Sequence, residues 1–365
     1  MTNAAAGRRA NMKITKEGAI LMIRFNNDYH YAAHACILDA LALANDQDHP
    51  GYGEDVWCRR AADEIRRLTG REDAEVQFFT GATQANFVVI SAALNAVQSV
   101  ISPKSGHINQ HEAGSVENTG HKILELETSD GKISAAQIRE CAAEYYESGE
   151  PEHLTEPKLV YISFPTEFGS LYSKQELQEI HEVCRTYGMY LFIDGARLGY
   201  GLGSCVNDVT PQDLAAFADV FYFGGTKCGA MFGEAVVILN DRLKKRFRSY
   251  MKQNGAVLAK GWLLGFQFYM LLKDGAYFEI TRQADAQAMR IKEAFAQKDI
   301  PSYVESFTNQ QFVIVTPQQE AKLAAKYIYE PSGSLPDGRS IIRFCTSWST
   351  REEDVDALIE DIRKL

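Results

Sequence analysis

The sequence predicts an α/β protein, in which a mainly parallel sheet is covered by helices and a smaller α+β unit follows it. Three observations support this fold class. Between about residues 76 and 239, short apolar segments alternate with helical ones, the pattern of parallel strands joined by crossover helices. Two of those segments, residues 189–193 and 220–223, stop abruptly at polar and glycine residues, as buried strands do. After residue 272 the pattern changes to charged helices and separate strands.

The elements are predicted from these patterns in chain order. After a loose arm at residues 1 to about 18, the sheet region contains strands at 19–25, 76–80, 97–102, 122–126, 158–163, 189–193 and 220–223, and helices at 33–44, 56–69 and 87–94. A further helix begins at a capping box, Ser173 to Glu176, and ends at Gly188. Beyond it we expect helices at 263–272, 278–298 and 319–327, strands at 311–316 and 340–347, and a last helix from a capping box at Thr350 to residue 365.

The length of the chain predicts more than one unit. A chain of 365 residues is too long for a single compact core. We expect an N-terminal arm and segment at residues 1–50, a large ligand-binding domain at 51–272 and a small α+β domain at 273–365.

Composition excludes several classes of protein. The formal net charge of -10 argues against a nucleic-acid partner, because phosphate binding needs a basic face. No apolar run approaches the roughly 18 residues that suggest a membrane span, and the N-terminus has no signal-peptide pattern. The seven cysteines show no C-x-x-C spacing, so neither a disulfide framework nor a structural metal site is expected. We therefore expect a cytoplasmic protein without a bound metal.

An acid, an arginine and a lysine follow two of the predicted strands. Asp194 and Arg197 come directly after residues 189–193, and Lys227 follows residues 220–223. Ligands of open α/β sheets bind outside the carboxyl ends of the strands. The three side chains are therefore expected in one crevice.

A turn of small residues, Gly81, Ala82 and Thr83, joins the strand at 76–80 to a helix. Such a turn leaves free backbone N–H groups at the positive end of the helix dipole, which suits a phosphate. Taken alone the pattern is weak, because many strand–helix turns look similar. It is not a P-loop, since the G-x-x-x-x-G-K-[ST] pattern is absent.

Two histidines, His107 and His111, stand four residues apart and could share one face of a helix. This spacing admits a zinc site, but no third ligand occurs at a recognisable distance in the sequence. Two other interpretations rank above zinc: a surface histidine pair, or one histidine that stacks on a flat ligand.

Pyridoxal 5′-phosphate requires the combination found here. The cofactor needs a lysine for its Schiff base, an acid at its pyridinium nitrogen and a helix start for its phosphate. Asp194 would keep the ring nitrogen protonated, and Lys227, partly desolvated, would have the lowered pKa that an imine-forming amine needs. Singly, Asp194 is equally well a turn former and Lys227 a solvated loop lysine. Together, at matching strand ends, they favour the cofactor.

Four motifs carry a resemblance to a known family: Asp194-Gly195-Ala196-Arg197, Gly225-Thr226-Lys227, Tyr52-Gly53-Glu54-Asp55 and His107-Ile108…Glu112-x-Gly114. From about Phe25 to the C-terminus the chain resembles the low-specificity L-threonine aldolases, in the β-eliminating lyase group of fold-type-I pyridoxal-phosphate enzymes. The resemblance implies a seven-stranded, mainly parallel sheet with helices on both faces. It also implies a homo-oligomer, a dimer or tetramer, with shared active sites.

The resemblance assigns roles to particular residues. It implies that Lys227 forms the Schiff base, that Asp194 pairs with the pyridinium nitrogen and that His107 stacks on the ring. Thr226, Arg197 and the turn of Gly81, Ala82 and Thr83 are implied to bind the cofactor. Arg197 and Arg343 match the arginines that hold the substrate α-carboxylate, a task suited to a planar bidentate fork. Tyr52 and Asn27 are implied to lie near the substrate, Tyr52 in a segment close to a neighbouring subunit's site.

One departure affects the substrate. Threonine aldolases commonly carry Thr-His-Asn where this chain has Thr166-Glu167-Phe168, so a second histidine is missing. Glu167 would replace it as a base if burial raised its pKa. The expected activity is cleavage of L-threonine or L-allo-threonine, an amino-acid substrate, to glycine and an aldehyde. The alternatives are β-elimination from another amino acid and, less favoured, a non-catalytic protein on the same fold.

Overall fold

A computed structural model describes residues 22–365, so the predicted arm at residues 1–18 lies outside the described residues. Twelve strands occur in this part of the chain: β1 (Ile23–Arg24), β2 (Glu75–Phe79), β3 (Gln98–Pro103), β4 (Lys122–Leu126), β5 (Glu156–Ser163), β6 (Tyr190–Asp194), β7 (Val220–Gly224), β8 (Glu234–Ile238), β9 (Gln310–Val315), β10 (Tyr327–Ile328), β11 (Glu330–Ser334) and β12 (Ser340–Cys345).

Fourteen α-helices lie between and after these strands in residues 22–365: α1 (Ala35–Ala44), α2 (Val56–Thr69), α3 (Ala82–Ala93), α4 (His107–Gln110), α5 (Ala135–Tyr146), α6 (Lys174–Tyr187), α7 (Leu198–Gly203), α8 (Pro211–Phe217), α9 (Asp241–Lys244), α10 (Phe247–Gln253), α11 (Trp262–Leu272), α12 (Ala276–Ala296), α13 (Pro317–Ala324) and α14 (Glu352–Ile362). No helix in this part of the chain is long and apolar enough to cross a membrane.

The main sheet has seven strands in the order β2-β8-β7-β6-β5-β3-β4. The strands from β7 to β4 pair in parallel, and β8 pairs antiparallel with both β7 and β2. Strand β8 therefore runs against the other six. The carboxyl ends of β5, β6 and β7 consequently meet at one edge, and the amino end of β8 lies beside them.

Alternate residues of the central strands enter two apolar layers. Leu191 and Ile193 pack with the helices on one face of the sheet, whereas Phe192 packs on the other face with residues of α3 and α10. Tyr222 and Phe223 divide between the faces in the same way. Side chains of a strand point alternately to its two faces, so a sheet covered on both sides requires apolar residues at successive positions. The expected helix-covered α/β sheet is confirmed.

The smaller unit contains the antiparallel sheet β11-β12-β9, and helices α12, α13 and α14 pack on it. The N-terminal segment also contributes to this unit, because β1 pairs with β10 in parallel. The carbonyl of Phe25 accepts a hydrogen bond from the Cys345 amide at 2.7 Å, and the Phe25 ring is fully buried in the small core. The division at residues 50/51 and 272/273 stays a prediction.

Most predicted elements match, and three details of the C-terminal part differ. The helix predicted at 319–327 occurs earlier, as α13, and Tyr327 belongs to β10. The capping box predicted at Thr350 is wrong, because the Thr350 hydroxyl accepts a hydrogen bond from the Ser347 amide at 2.8 Å and α14 begins after Arg351 without a side-chain cap. Strand β11 was not predicted, since all five of its residues are exposed. By contrast, the Ser173 capping box and the Gly188 cap of α6 are both present.

Candidate active site

The carboxyl ends of β5, β6 and β7 surround a pocket. Its lining includes six residues that the sequence had marked as site residues: Ala82, His107, Glu167, Asp194, Arg197 and Lys227. These residues come from five different segments of the chain, and the order of the strands brings them together.

Asp194 ends β6 and is 4% exposed. The Tyr161 hydroxyl donates to its Oδ2 at 2.6 Å, and the Asn86 amide donates to the same oxygen at 3.1 Å. The Ala196 backbone N–H donates to Oδ1 at 2.9 Å. Burial opposes ionisation, but the charge of His107 and these hydrogen bonds outweigh it, so the pKa of Asp194 is lowered from its ordinary value. Asp194 is therefore held as a carboxylate.

His107 is the first residue of α4, and Glu112 fixes the orientation of its ring. Its Nδ1 lies 2.8 Å from Glu112 Oε1, and the Glu112 side chain is fully buried. Asn86 donates to the same Glu112 oxygen at 2.8 Å, and so joins Glu112 to Asp194. The rings of His107 and His111 lie 5.5 Å apart. In residues 22–365 no group of three potential ligands could hold a metal ion.

Glu167 follows β5 and faces the same pocket. The Ser163 hydroxyl donates to its Oε1 at 2.7 Å, and the His107 backbone N–H donates to that oxygen at 3.0 Å. Its other oxygen, Oε2, is buried and has no hydrogen-bond partner among the described residues. Burial raises the pKa of Glu167 above its ordinary value, and the nearby charge of Asp194 adds to the increase.

Lys227 lies in the loop after β7 and lines the pocket. Burial and the neighbouring charge of Arg197 lower the pKa of its amine, although Asp28, Asp194 and Glu234 oppose the decrease. A lowered pKa increases the fraction of the neutral, nucleophilic amine near neutral pH.

Arg197 is held by Asp28, an acid that was not predicted from the sequence to belong to the site. Its Nε donates to Asp28 Oδ2 at 2.7 Å and its Nη2 to Asp28 Oδ1 at 3.1 Å. The Asn309 amide adds a bond to the same carboxylate at 2.9 Å. Despite the cost of burying the acid, Arg197 holds the pKa of Asp28 at about 2. Two of the three guanidinium nitrogens of Arg197 are thus engaged within the protein, which leaves Nη1 for any ligand.

Arg343 lies on β12 and connects to the pocket through Gln310. Its Nη1 donates to Gln310 Oε1 at 3.1 Å, and the Gln310 amide donates to the Glu167 carbonyl at 3.3 Å. Its Nη2 donates to the Asn26 carbonyl at 2.9 Å. The Arg343 Nε is buried and has no partner among the described residues. Arg343 therefore retains an unused donor beside the pocket.

The predicted phosphate turn forms the start of α3. Gly81 is the N-cap residue and provides no side-chain cap, so the first N–H groups of α3 lack that partner. A Cβ built on Gly81 would meet no atom within 4 Å, so the space in front of the turn is open. A free helix start that opens to space is suited to an anion.

Three other predicted site residues do not line this pocket. The Thr226 hydroxyl donates at 2.8 Å to Oε1 of Glu234, the first residue of β8. Asn27 accepts a hydrogen bond from the Tyr29 amide at 3.0 Å in a local turn. Tyr52 has a φ of 63° and lines a separate cavity of about 190 Å³ with Gly53 and Arg248. Their roles toward the ligand stay predictions.

Several residues that orient the site were not predicted from the sequence: Asp28, Asn86, Tyr161, Glu234, Asn309 and Gln310. Two of them carried a usable signal. Tyr161 lies two residues before the end of β5 and therefore faces the same side of the sheet as Ser163. Glu234 is an acid directly before an apolar run, where a strand residue is expected to be buried.

The side chains fit pyridoxal 5′-phosphate. The pocket contains a lysine with a lowered pKa and a carboxylate kept ionised by its neighbours. It also contains a helix start without a side-chain cap, which faces open space. These are the amine, the acid and the anion site that the cofactor requires.

Comparison with known proteins gives the same result. The β-eliminating lyase family model matches residues 33–318. A low-specificity L-threonine aldolase of a Pseudomonas species is 32% identical over 335 residues, which cover 89% of this chain and 92% of that protein. The structure of a Leishmania major threonine aldolase superposes with a TM-score of 0.91 at 43% identity, and the match covers 94% of this chain and 99% of that one.

A more distant likeness concerns the fold alone. A Thermus thermophilus aspartate aminotransferase superposes with a TM-score of 0.69 at 16% identity, over 94% of this chain and 91% of that one. The family match spans most of the chain and includes Asp194, Arg197 and Lys227. The chain belongs to the β-eliminating lyase family, and threonine aldolases are among the members that it resembles in both sequence and structure.

Proposed function

We propose that this protein is a pyridoxal 5′-phosphate-dependent lyase that cleaves a β-hydroxy-α-amino acid, L-threonine or L-allo-threonine, to glycine and an aldehyde. The observation that carries the proposal is that the ionised Asp194 and the Lys227 amine face one pocket at the ends of neighbouring strands. The similarity to threonine aldolases over most of the chain supports the substrate class.

The chain's own residues would hold the cofactor at three points. Lys227 would bond to it, Asp194 would accept a hydrogen bond from its ring nitrogen, and the α3 start at Gly81, Ala82 and Thr83 would bind its phosphate. When bound, the cofactor supplies an electron sink for the charge left on Cα after Cα–Cβ cleavage. The hydrogen bonds of Tyr161 and Asn86 keep Asp194 ionised for this task.

Glu167 would take the proton of the substrate β-hydroxyl. Its Oε1 is occupied by Ser163 and by the His107 amide, whereas Oε2 has no partner. Burial raises the pKa of Glu167, so it is a stronger base than an exposed glutamate and is better matched to a hydroxyl proton.

Arg343 would bind the substrate α-carboxylate. Its buried Nε lacks a partner, and a substrate carboxylate would supply one. Arg197 contributes through its remaining nitrogen, because Asp28 holds the other two. An orphaned buried donor is costly, so this site favours a ligand with a carboxylate.

The test is a product assay with a defined panel. The purified holoenzyme is incubated with L-threonine, L-allo-threonine, phenylserine and a β-substituted alanine, and glycine, aldehyde, pyruvate and ammonia are measured. Glycine with an equimolar aldehyde supports the proposal, whereas pyruvate with ammonia indicates β-elimination. Lys227→Ala should lose both turnover and the visible absorbance of the lysine-bound cofactor. Turnover that survives in this variant would refute the assignment of Lys227.

We further propose that two or more copies assemble, with active sites shared between them, in a reducing compartment such as the cytoplasm. Helix α1 supports assembly, because Leu43 is 82% exposed and Leu38 42% exposed on it. All seven cysteines are free thiols, which supports a reducing compartment. Light scattering coupled to gel filtration measures the mass in solution, and a monomer at micromolar concentration would contradict the assembly.

A further inference from the structure

Glu234 is a buried acid to which the proposed mechanism assigns no task. It is the first residue of β8 and is 2% exposed. Because β8 runs against its neighbours, its amino end lies at the edge where Lys227 is found. A buried carboxylate is costly unless hydrogen bonds and charges compensate it, so its surroundings are informative.

The Glu234 carboxylate ties together the loop that carries Lys227. The Thr226 hydroxyl donates to Oε1 at 2.8 Å, and the Gly225 backbone N–H donates to Oε2 at 3.1 Å. The loop is also closed at its base, since the Gly225 and Thr226 amides donate to the Gly233 carbonyl at 2.9 and 3.1 Å. Glu234 therefore contacts Gly225 and Thr226, the two residues before Lys227 in the chain.

Three acids exert charge on Lys227, and they differ in their own partners. Asp28 is paired bidentately with Arg197. Asp194 faces the charge of His107 and would bind the cofactor ring nitrogen. Glu234 receives its hydrogen bonds from an amide and a hydroxyl, which are neutral donors. Glu234 is thus the acid of the three that bonds to the loop carrying Lys227.

We propose that Glu234 is a positioning residue for Lys227, because its two side-chain oxygens hold the loop of residues 225–233 through hydrogen bonds from Gly225 and Thr226. The inference rests on the proposed function only in that it takes Lys227 as the reactive amine.

Other charged and titratable groups surround the pair. The groups that interact electrostatically with Lys227 include Arg197, Asp28, Asp194, His111 and Cys345. Those that interact with Glu234 include Asp194, Tyr222, Cys228 and Tyr277. Burial raises the pKa of Glu234 to about 8, and the Lys227 charge limits that increase. Burial lowers the pKa of Lys227 at the same time. Each group thus favours the charged form of the other.

Two variants test the hydrogen bonds of Glu234. In Glu234→Gln, the amide oxygen still accepts from Gly225 and the amide nitrogen can donate to the Thr226 hydroxyl, so the loop is retained while the charge is lost. Glu234→Ala removes both. Glu330→Gln on the exposed strand β11 is the matched control for loss of one glutamate charge.

The primary measurement does not depend on catalysis. The full-length chain, freed of cofactor, is labelled with trace acetic anhydride across the pH range, and mass spectrometry of the Lys227 peptide gives the midpoint at which the amine becomes reactive. Glu234→Ala should shift this midpoint, because the loop that places the amine loses two of its hydrogen bonds, whereas Glu234→Gln should retain the wild-type midpoint. Glu330→Gln should leave it unchanged. A Glu234→Ala midpoint equal to that of the wild type would overturn the positioning role.

A second measurement tests the loop. The holoenzymes are dialysed, and the rate of cofactor loss is followed by visible absorbance. Glu234→Ala should lose cofactor roughly tenfold faster than Glu234→Gln, as expected for loss of one or two neutral hydrogen bonds. Equal rates in the two variants would overturn the positioning role. If Glu234→Ala does not fold, Thr226→Val, which deletes one of the two donors, replaces it in this comparison. Because neither measurement uses threonine, failure here is distinct from failure of the proposed activity.

Discussion

Asp194 and Glu167 are carboxylates in the walls of one pocket, yet their pKa values shift in opposite directions. Asp194 accepts three hydrogen bonds over both of its oxygens and faces the charge of His107. Glu167 has two donors on one oxygen, none on the other, and a like charge nearby. Burial acts on both acids, so the partners decide which acid stays ionised and which holds a proton more tightly. With their pKa values shifted apart, Asp194 provides a fixed negative charge and Glu167 provides a base within the same site.

Asp194→Asn should have the largest effect on this comparison. The side chain keeps its shape but loses the charge that would hold the cofactor ring nitrogen protonated. We expect kcat to fall by roughly 10³-fold, within the range seen for loss of an electrostatic group at a reacting centre. Steady-state kinetics with saturating cofactor measure the change. A kcat within a few-fold of the wild type would show that the negative charge of Asp194 does not contribute to the reaction.

Glu167→Gln should remove the base. We expect kcat to fall by roughly 10²-fold, as is usual for a proton-transferring side chain. The wild-type rate should rise with pH through the pKa of Glu167, because only the ionised form accepts a proton, and that pKa is raised by burial. The variant should lack this acidic limb. A pH–rate profile of kcat checks both, and an unchanged limb would assign it to another group.

Arg343→Ala should affect binding more than turnover. The Arg343 guanidinium has an unused buried Nε and is linked to Glu167 through Gln310. Loss of this donor should raise KM by roughly one to two orders of magnitude, the cost of removing one member of a buried charged pair. Arg339→Ala, in the turn between β11 and β12, is the control. An equal KM in the two variants would remove Arg343 from the carboxylate site.

Tyr161→Phe should have the smallest effect. It deletes the hydroxyl that donates to Asp194 Oδ2 and leaves the buried ring in place. We expect the pKa of Asp194 to rise and cofactor affinity to fall about tenfold, as for one hydrogen bond to a charged group. Equilibrium titration of the cofactor-free chain measures this affinity. Wild-type affinity would mean that Asn86 and the Ala196 amide suffice to keep Asp194 ionised.

The strands that position Asp194 and Lys227 were predictable, because a strand buried on both faces must be apolar at successive positions and must end where the chain becomes polar. Local signals also sufficed for α6, whose two caps lie within the helix and next to it. Strand β11 carried no such signal, since its exposed residues are ordered by pairing with β12.

The partners within the site were less predictable, because they are distant in sequence. Asp28 and Arg197 are 169 residues apart, and no periodicity marks them as an ion pair. Likewise, the sequence suggested a base at Glu167 but gave no sign that one of its oxygens would be engaged and the other left free. Hydrogen-bond partners decide the pKa values here, and they depend on three-dimensional packing.

Because β8 runs antiparallel to β7, the segment that carries Lys227 is the turn of a short hairpin. A parallel return from β7 would require a crossover of a dozen or more residues, usually a helix, between the lysine and the next strand. Here nine residues, 225–233, connect two paired strands, so both ends of the Lys227 segment are anchored in the same sheet. An insertion in this hairpin would shift the amine relative to Asp194, whereas insertions in the loops after β5 can alter the base without moving the amine. The substrate preference of this protein is therefore free to diverge while its cofactor chemistry is retained.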